Sequence, residues 1–232
     1  MQSVETVFLH GWGFDAHFWD PLLQYLGWDS VYVPDFGFFD GHNGYSVYGQ
    51  TQTIEKTLKK LQQKGNPILA VGHSLGFLWL IGRTILPVGS QYVGFNAFGR
   101  FASGGEFTQG VPIRVLERMK RHVMSDPISV VNHFRKRCGA SPIPLKSTPH
   151  VETLCWGLDV LREFNVYTEL ASLGQRVTIL GGMQDDLVSP EMLKASMPPT
   201  VRVLWEEGGH LLPQTHIQPC ATLLQTIRHA MA

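Results

Sequence analysis

Ser74 stands between two glycines in Gly72-His73-Ser74-Leu75-Gly76, the pattern G-x-S-x-G. A nucleophilic serine held on a sharp strand-to-helix turn needs neighbours without bulk, and glycine supplies that on both sides. The motif alone is a weak signal. Its surroundings add to it, because an apolar run at residues 67–71 precedes it and an apolar helical pattern follows. A serine hydroxyl also needs a base, a group that orients the base, and donors for the oxyanion formed when it attacks an acyl carbon.

Candidates for each role are present. Of the ten histidines, His210 alone follows a late strand pattern through a Gly208-Gly209 turn. It comes after both the serine and the candidate acid, the order Ser…Asp…His. His216 is the alternative base, placed at a helix start by Pro213 and Gln214. His42, His122, His133, His150 and His229 read as surface or satisfied polar histidines. The acid is expected in Gly182-Met183-Gln184-Asp185-Asp186-Leu187-Val188, at the end of another strand. Asp185 is the first choice there and Asp186 the alternative, read as a loop or helix-capping residue. The oxyanion donors are expected to be the backbone N–H groups of Leu75 and Trp12, the latter in His10-Gly11-Trp12-Gly13 after the first strand. His10 reads as a brace for that loop. Acyl transfer through an acyl-enzyme follows, with His210 as base and Asp185 fixing its tautomer.

The elements that would position these groups alternate. Apolar runs rich in β-branched residues recur at 6–9, 30–33, 67–71, 92–95, 176–180 and 201–205. That is how strands of a parallel sheet covered on both faces read. Helical patterns lie at 46–64, 75–86 and 214–232. The expected fold class is α/β, a doubly wound and mainly parallel sheet of about six strands. From Arg100 to Thr168 no strand is evident; helical patterns at 113–124, 128–138 and 151–163 are joined by a proline-rich loop at 141–149. An interval this long exceeds a crossover connection. It is expected to be a helical cap, residues 100–168, inserted in a core of residues 1–99 and 169–232. Phe101, Phe107, Phe134 and Trp156 supply its aromatics, of which Phe134 and Trp156 are the candidates for a substrate pocket over Ser74.

Composition narrows the function classes. The chain has 232 residues, 44% hydrophobic and 16% charged, with net charge +0. That suits one well-buried unit and supplies no overall field toward nucleic acid. The longest apolar stretch, 68–82, is interrupted by His73 and Ser74 and is too short to span a membrane. Three cysteines without close spacing read as reduced thiols, and the start MQSVETVFLH lacks the features of a signal peptide, so a cytoplasmic location is expected. No metal cluster, phosphate loop or dinucleotide fingerprint is present, so no cofactor is expected. Charge is uneven, however: residues 111–150 hold eight basic side chains against two acidic ones. Arg114, Arg118 and Arg121 recur at spacings of four and three, which puts them on one helix face; with Arg135 they are candidates for docking an acidic partner.

Taken together these residues resemble the α/β-hydrolase superfamily over essentially the whole chain. Within it the chain is similar to the esterases of biotin synthesis that remove a methyl ester from pimeloyl-acyl-carrier-protein. The resemblance rests on His10-Gly11-Trp12-Gly13 with Trp19 beyond, Gly157-Leu158-Asp159-Val160-Leu161, Asp185-x-Leu187-Val188, and Gly209-His210-Leu211-Leu212-Pro213 with Cys220 and Leu223-Leu224. It departs in having His73 before the serine and Phe36-Gly37-Phe38-Phe39 after Asp35. The resemblance implies a carrier-linked or short-chain acyl methyl ester as substrate, with acyl carrier protein as partner. A general small carboxylesterase or thioesterase is the alternative, and a non-catalytic binding protein on the same scaffold is the alternative of another class.

Overall fold

A computed structural model describes residues 4–40 and 47–232, with the side chains of 40 and 47–53 left undescribed. The strands are β1 (Glu5–Leu9), β2 (Phe39–Asp40), β3 (Ile68–His73), β4 (Gln91–Phe95), β5 (Thr148–Pro149), β6 (Val177–Gly182) and β7 (Arg202–Glu206). The helices are α1 (Asp20–Leu26), α2 (Val47–Gln63), α3 (Leu75–Arg83), α4 (Ile113–Ser125), α5 (Pro127–Cys138), α6 (Val151–Glu163), α7 (Tyr167–Leu173), α8 (Pro190–Ser196), α9 (Leu212–Thr215) and α10 (Ile217–Met231).

Five strands form one parallel sheet in the order β1-β3-β4-β6-β7. Its side chains alternate between two apolar clusters. Val7, Leu9, Ile68, Ala70 and Ile179 face one side, where Leu58 and Leu61 of α2, Leu78 of α3 and Leu193 of α8 cover them. Phe8, Leu69, Val71, Val93 and Leu180 face the other, against Leu22 and Leu26 of α1 and Ala221 and Leu224 of α10. Burial on both faces explains why these strands read as continuous apolar runs. The chain is thus the doubly wound α/β fold expected.

The sixth run, 30–33, is reduced to a single parallel bridge between Tyr32 and Val7. Two bonds hold it, Phe8 N–H to the Tyr32 carbonyl at 2.8 Å and Tyr32 N–H to the Thr6 carbonyl at 2.9 Å. Pro34 follows and has no N–H to extend the ladder. Residues 75–86 stop helical at Arg83, where Thr84 turns extended ahead of Pro87. Residues 214–232 are two helices rather than one, broken at His216.

Between β4 and β6, α4 packs on α5 and α6. Asp126 starts α5 by accepting the Ser129 N–H at 3.1 Å, with Pro127 at the first helical position and Gly139 at φ +85° closing it. The interval is not strand-free: β5 pairs antiparallel with β2 through two residues, Phe39 with Pro149 and Asp40 with Thr148. Two residues carry no periodicity from which a strand could be read.

Candidate active site

Five strand ends meet at one edge of the sheet, and each is followed by a residue of interest. β1 runs into His10, β3 into Ser74, β4 into Asn96, β6 into the loop of Asp185, and β7 into the turn before His210. In an open parallel sheet this carboxyl edge is where ligands bind.

Ser74 has φ +51° and ψ −118°, between the last residue of β3 and the first of α3. Strain of this kind costs about 1–3 kcal/mol and survives only where the surroundings impose it. Here they do. Ser74 N–H donates to the Phe95 carbonyl at 3.1 Å, and its own carbonyl accepts Phe77 N–H at 3.1 Å to open α3. A methyl group on Gly72 would run into the Phe77 backbone, and one on Gly76 into the carbonyls of Leu9 and His10. Both glycines are therefore required by packing. Leu75 is the first residue of α3, where N–H groups have no intrahelical acceptor.

Asp185 and His210 come together. His210 Nδ1 lies 2.7 Å from Asp185 Oδ2, with both side chains buried. The other carboxylate oxygen accepts the N–H groups of Leu187 at 2.8 Å and Val188 at 3.0 Å. Burial alone would push the Asp185 carboxyl up, but His210 and these two N–H groups outweigh it and hold it below the ordinary value. An ionised Asp185 fixes Nδ1–H on the imidazole, leaving Nε2 as the basic nitrogen. Asp186 is exposed and caps no helix; Ser189 does that for α8. His216 is partly buried at the break between α9 and α10, against the Thr215 hydroxyl.

His73 ties the base loop to the serine turn. Its Nε2–H donates to the His210 carbonyl at 2.9 Å, its ring stacks on Phe18 at 4.3 Å, and its centroid is 4.8 Å from that of His210. Complete burial, then the proximity of His210, holds His73 well below the ordinary imidazole value, so it is neutral.

The loop after β1 is braced from several directions. His10 Nδ1–H donates to the Gly11 carbonyl at 2.9 Å, as the expected bracing role requires. His10 Nε2 lies 3.2 Å from the Phe36 N–H and 3.3 Å from Asp35 Oδ1. A neutral ring accepts from the first and a protonated ring donates to the second. Burial disfavours the charge on His10, yet Asp35 more than offsets it and raises the pKa. Burial likewise opposes the charge on Asp35, but His10 and the N–H groups of Gly37 (2.6 Å) and Ala16 (2.7 Å) hold it well below the carboxylate range. The Trp12 indole N–H donates to the Leu154 carbonyl of α6 at 2.8 Å. Phe134 of α5 meets Trp12 edge-on at 4.9 Å. Trp156 of α6 packs on Phe36 at 5.5 Å.

The basic residues separate. Arg114, Arg118 and Arg121 are exposed on α4. Arg135 is partly buried and turned inward: it donates to the carbonyls of Ser141 at 2.8 Å and Gly13 at 3.1 Å, and lies 4.7 Å from the Phe14 ring centroid. Its bond to Gly13 and its place over Phe14 tie it to the loop after β1. Of the remaining histidines, His122, His133 and His229 are exposed and His150 starts α6 through the Thr153 N–H; His42 lies outside the described residues. Four residues at the site carried no such role in the sequence reading: Asn96, His73, Asp35 and, as a brace, Arg135. The signal for Asn96 was a polar residue ending an apolar strand at the edge that also holds Asp185.

Residues 6–223 match the alpha/beta hydrolase family. Among curated proteins, the pimeloyl-[acyl-carrier protein] methyl ester esterase of Legionella pneumophila (strain Corby) is 22% identical over 96% of this chain and 94% of its own length. The protein of the same name from Vibrio parahaemolyticus is 24% identical over 95% of this chain and 92% of its own. Among solved structures, an esterase from Exiguobacterium antarcticum superposes with a TM-score of 0.76 at 16% identity, covering 98% of this chain and 93% of that one. MenH from S. aureus gives 0.73 at 16% identity, covering 99% and 94%.

Proposed function

This chain belongs to the alpha/beta hydrolase family and is a carboxylic ester hydrolase; from that premise we propose that it works through Ser74, His210 and Asp185 on a carrier-linked or short-chain acyl methyl ester. The observation that carries the reading is the buried Asp185–His210 pair, at 2.7 Å, beside a strained serine at the head of α3. His210 takes the Ser74 proton as Oγ attacks the ester carbonyl carbon. The resulting oxyanion is received by the backbone N–H groups of Leu75 and Trp12. As the tetrahedral centre collapses, His210 hands its proton to the departing alkoxide, leaving an acyl-enzyme. Water, deprotonated by His210, then releases the acid and restores Ser74. Asp185 stabilises the imidazolium at each stage.

Residues 100–168 act in this reading as a cap on a core of residues 1–99 and 169–232. Phe134 and Trp156 line the acyl pocket beside Trp12. The methyl ester and the carrier come from the curated relatives, whose names state that substrate. The exposed row Arg114, Arg118 and Arg121 supports an acidic carrier as partner, because opposite charge steers encounter. A cytoplasmic location fits that partner, and no described helix is long and apolar enough to cross a membrane.

Two measurements test this. A fluorophosphonate should label Ser74 in the native protein and not in Ser74→Ala; an unlabelled native protein would leave a non-catalytic scaffold. Hydrolysis of a methyl ester on acyl carrier protein should fall at least about tenfold in Arg114→Glu/Arg121→Glu and weaken with salt, while the free methyl ester is spared. Equal responses of both substrates would make the basic row a solvated face and favour a general carboxylesterase or thioesterase.

A further inference from the structure

Among the described residues, Ser74 and Asn96 are the two that have positive φ without being glycine, at +51° and +49°. Ser74 is explained by the turn that presents it. Asn96 has no part in the chemistry above, yet it sits at the same sheet edge and is wholly buried. Such outliers persist where surrounding structure imposes them, and they cluster at functional sites.

The backbone N–H of Asn96 donates to the Leu180 carbonyl at 3.0 Å, so the β4–β6 ladder continues into it. The left-handed turn then carries the side chain across the end of β6. Its Nδ2 donates to Asp185 Oδ2 at 2.8 Å and to the Gly209 carbonyl at 3.1 Å. Ionised Asp185 and a peptide carbonyl only accept, so the amide orientation is fixed: an oxygen in that place would face two acceptors. Asp185 Oδ2 is the oxygen that also receives His210 Nδ1–H. Gly209 is the residue immediately before His210. One amide thus spans the acid and the loop of the base, across 89 and 113 positions of sequence.

We infer that Asn96 is a positioning residue that clamps the acid loop to the base loop and moderates the pull of Asp185 on His210. The inference rests on the reading of Asp185 and His210 as acid and base. A carboxylate oxygen that shares its charge between two donors holds each less strongly than it would hold one. Without the amide, Oδ2 is left to His210 alone and stabilises the imidazolium further, so the base is occupied by a proton at higher pH. Among the described residues, the ionisable groups facing His210 are Asp185 and His73, with Cys138 behind Asp185; the substitutions below replace none of them.

The test is the rate at which a fluorophosphonate labels Ser74 between pH 5 and 9, in native protein, Asn96→Gly and Asn96→Asp. Glycine and aspartate both tolerate the left-handed backbone, so the turn is kept. Glycine removes the donor; in Asn96→Asp the new carboxyl, buried against ionised Asp185, keeps a proton and donates it in the amide's place. The acid limb of the rate should therefore move up by about 0.5 pH unit in Asn96→Gly and by less in Asn96→Asp. An Asn96→Gly limb within about 0.2 unit of native, whatever its plateau, would show that Asn96 only shapes a turn. A third readout uses native protein alone: the side-chain amide resonance of 15N-labelled Asn96 should follow the titration of His210, and a resonance indifferent to it overturns the inference. If native protein fails to label, or its acid limb survives His210→Ala, the triad reading itself fails, which is a separate result.

Discussion

The two halves of the candidate site are held in different ways. The base half, with Asp185, Asn96, His73 and His210, is closed on itself at the sheet edge. Its bonds run between strand ends, from Asn96 to Asp185 and Gly209, from His73 to the His210 carbonyl, and from Asp185 to Leu187 and Val188. The oxyanion half, Gly11 to Gly13, is held from outside. Leu154 of α6 receives the Trp12 indole N–H, Arg135 of α5 grips the Gly13 carbonyl, and Phe134 stands edge-on to Trp12. The hydrogen bonds that hold the proposed proton-transfer groups thus come from none of the helices between β4 and β6, whereas the loop proposed to receive the oxyanion is held by two of them. A change in those helices should alter how well the transition state is stabilised more than it alters the pH profile of the rate.

The largest effects should come from Ser74 and the closed half beside it. Ser74→Ala and His210→Ala should each lower turnover of p-nitrophenyl acetate or butyrate by at least about 10³-fold. Asp185→Asn should cost far more than Asp186→Asn, because Asp186 is exposed and Asp185 carries three hydrogen bonds besides that to His210. Equal losses at the two aspartates would break the account of the base half.

A smaller effect is expected in the braced half. Arg135→Met keeps an apolar stem over Phe14 but removes the donor to Gly13. Losing an oxyanion donor outright costs about 10²–10³ in kcat; loosening the loop that carries one should cost on the order of tenfold. The acid limb of the pH profile should stay where it is in native protein. An Arg135 variant that moved the limb, as Asn96→Gly is expected to do, would mean that the two halves are not separate.

How much of this was legible beforehand follows the same division. The proposed triad Ser74, Asp185 and His210 stood out because each lies in a short local motif at a strand end, with glycine flanking Ser74 and preceding His210. The proposed donors Leu75 and Trp12 are backbone groups placed by the elements before them, so their side chains carried no signal. What ties the motifs together is long-range: Asn96 to Asp185, Arg135 to Gly13 and His10 to Phe36 join residues with no local spacing to reveal them. Arg135 was grouped with Arg114, Arg118 and Arg121 by charge alone. Only the packing of α5 against the loop after β1 shows that it turns inward. The sixth strand failed for a local reason that was visible, Pro34, but an apolar run reads the same whether its ladder is extended or reduced to one bridge.

The smallest effect sharpens the comparison most, since each half is backed by a buried histidine outside the proposed triad, His10 beside the loop after β1 and His73 beside the base, and the two respond oppositely to protons. His10, beside Asp35, is held above the ordinary imidazole value, so the folded state binds its proton more readily than the unfolded chain. Its contribution to stability is full below the unfolded value of about 6.5 and is lost as pH rises through the raised one. His73 is held well below that value. Its contribution is present above about pH 6.5 and is lost as pH falls, because the unfolded chain then takes up a proton that the folded one refuses. Each pH unit over which one proton separates the two states is worth about 1.4 kcal/mol, or roughly 3–6 °C of Tm at this chain length. Between pH 7 and 5, then, His73→Gln should make the fall of Tm shallower by a few degrees, whereas His10→Gln should act above about pH 6.5, removing stability that the native protein gains as pH falls from about 8 toward 6. Thermal melts of the three proteins at pH 5, 6, 7 and 8 measure this directly. Only the slope matters, since either substitution also lowers Tm uniformly by lost packing. Slopes that shift in the same direction would show that the two histidines sit in equivalent electrostatic surroundings, and the distinction between a closed half and a braced half would lose its electrostatic support.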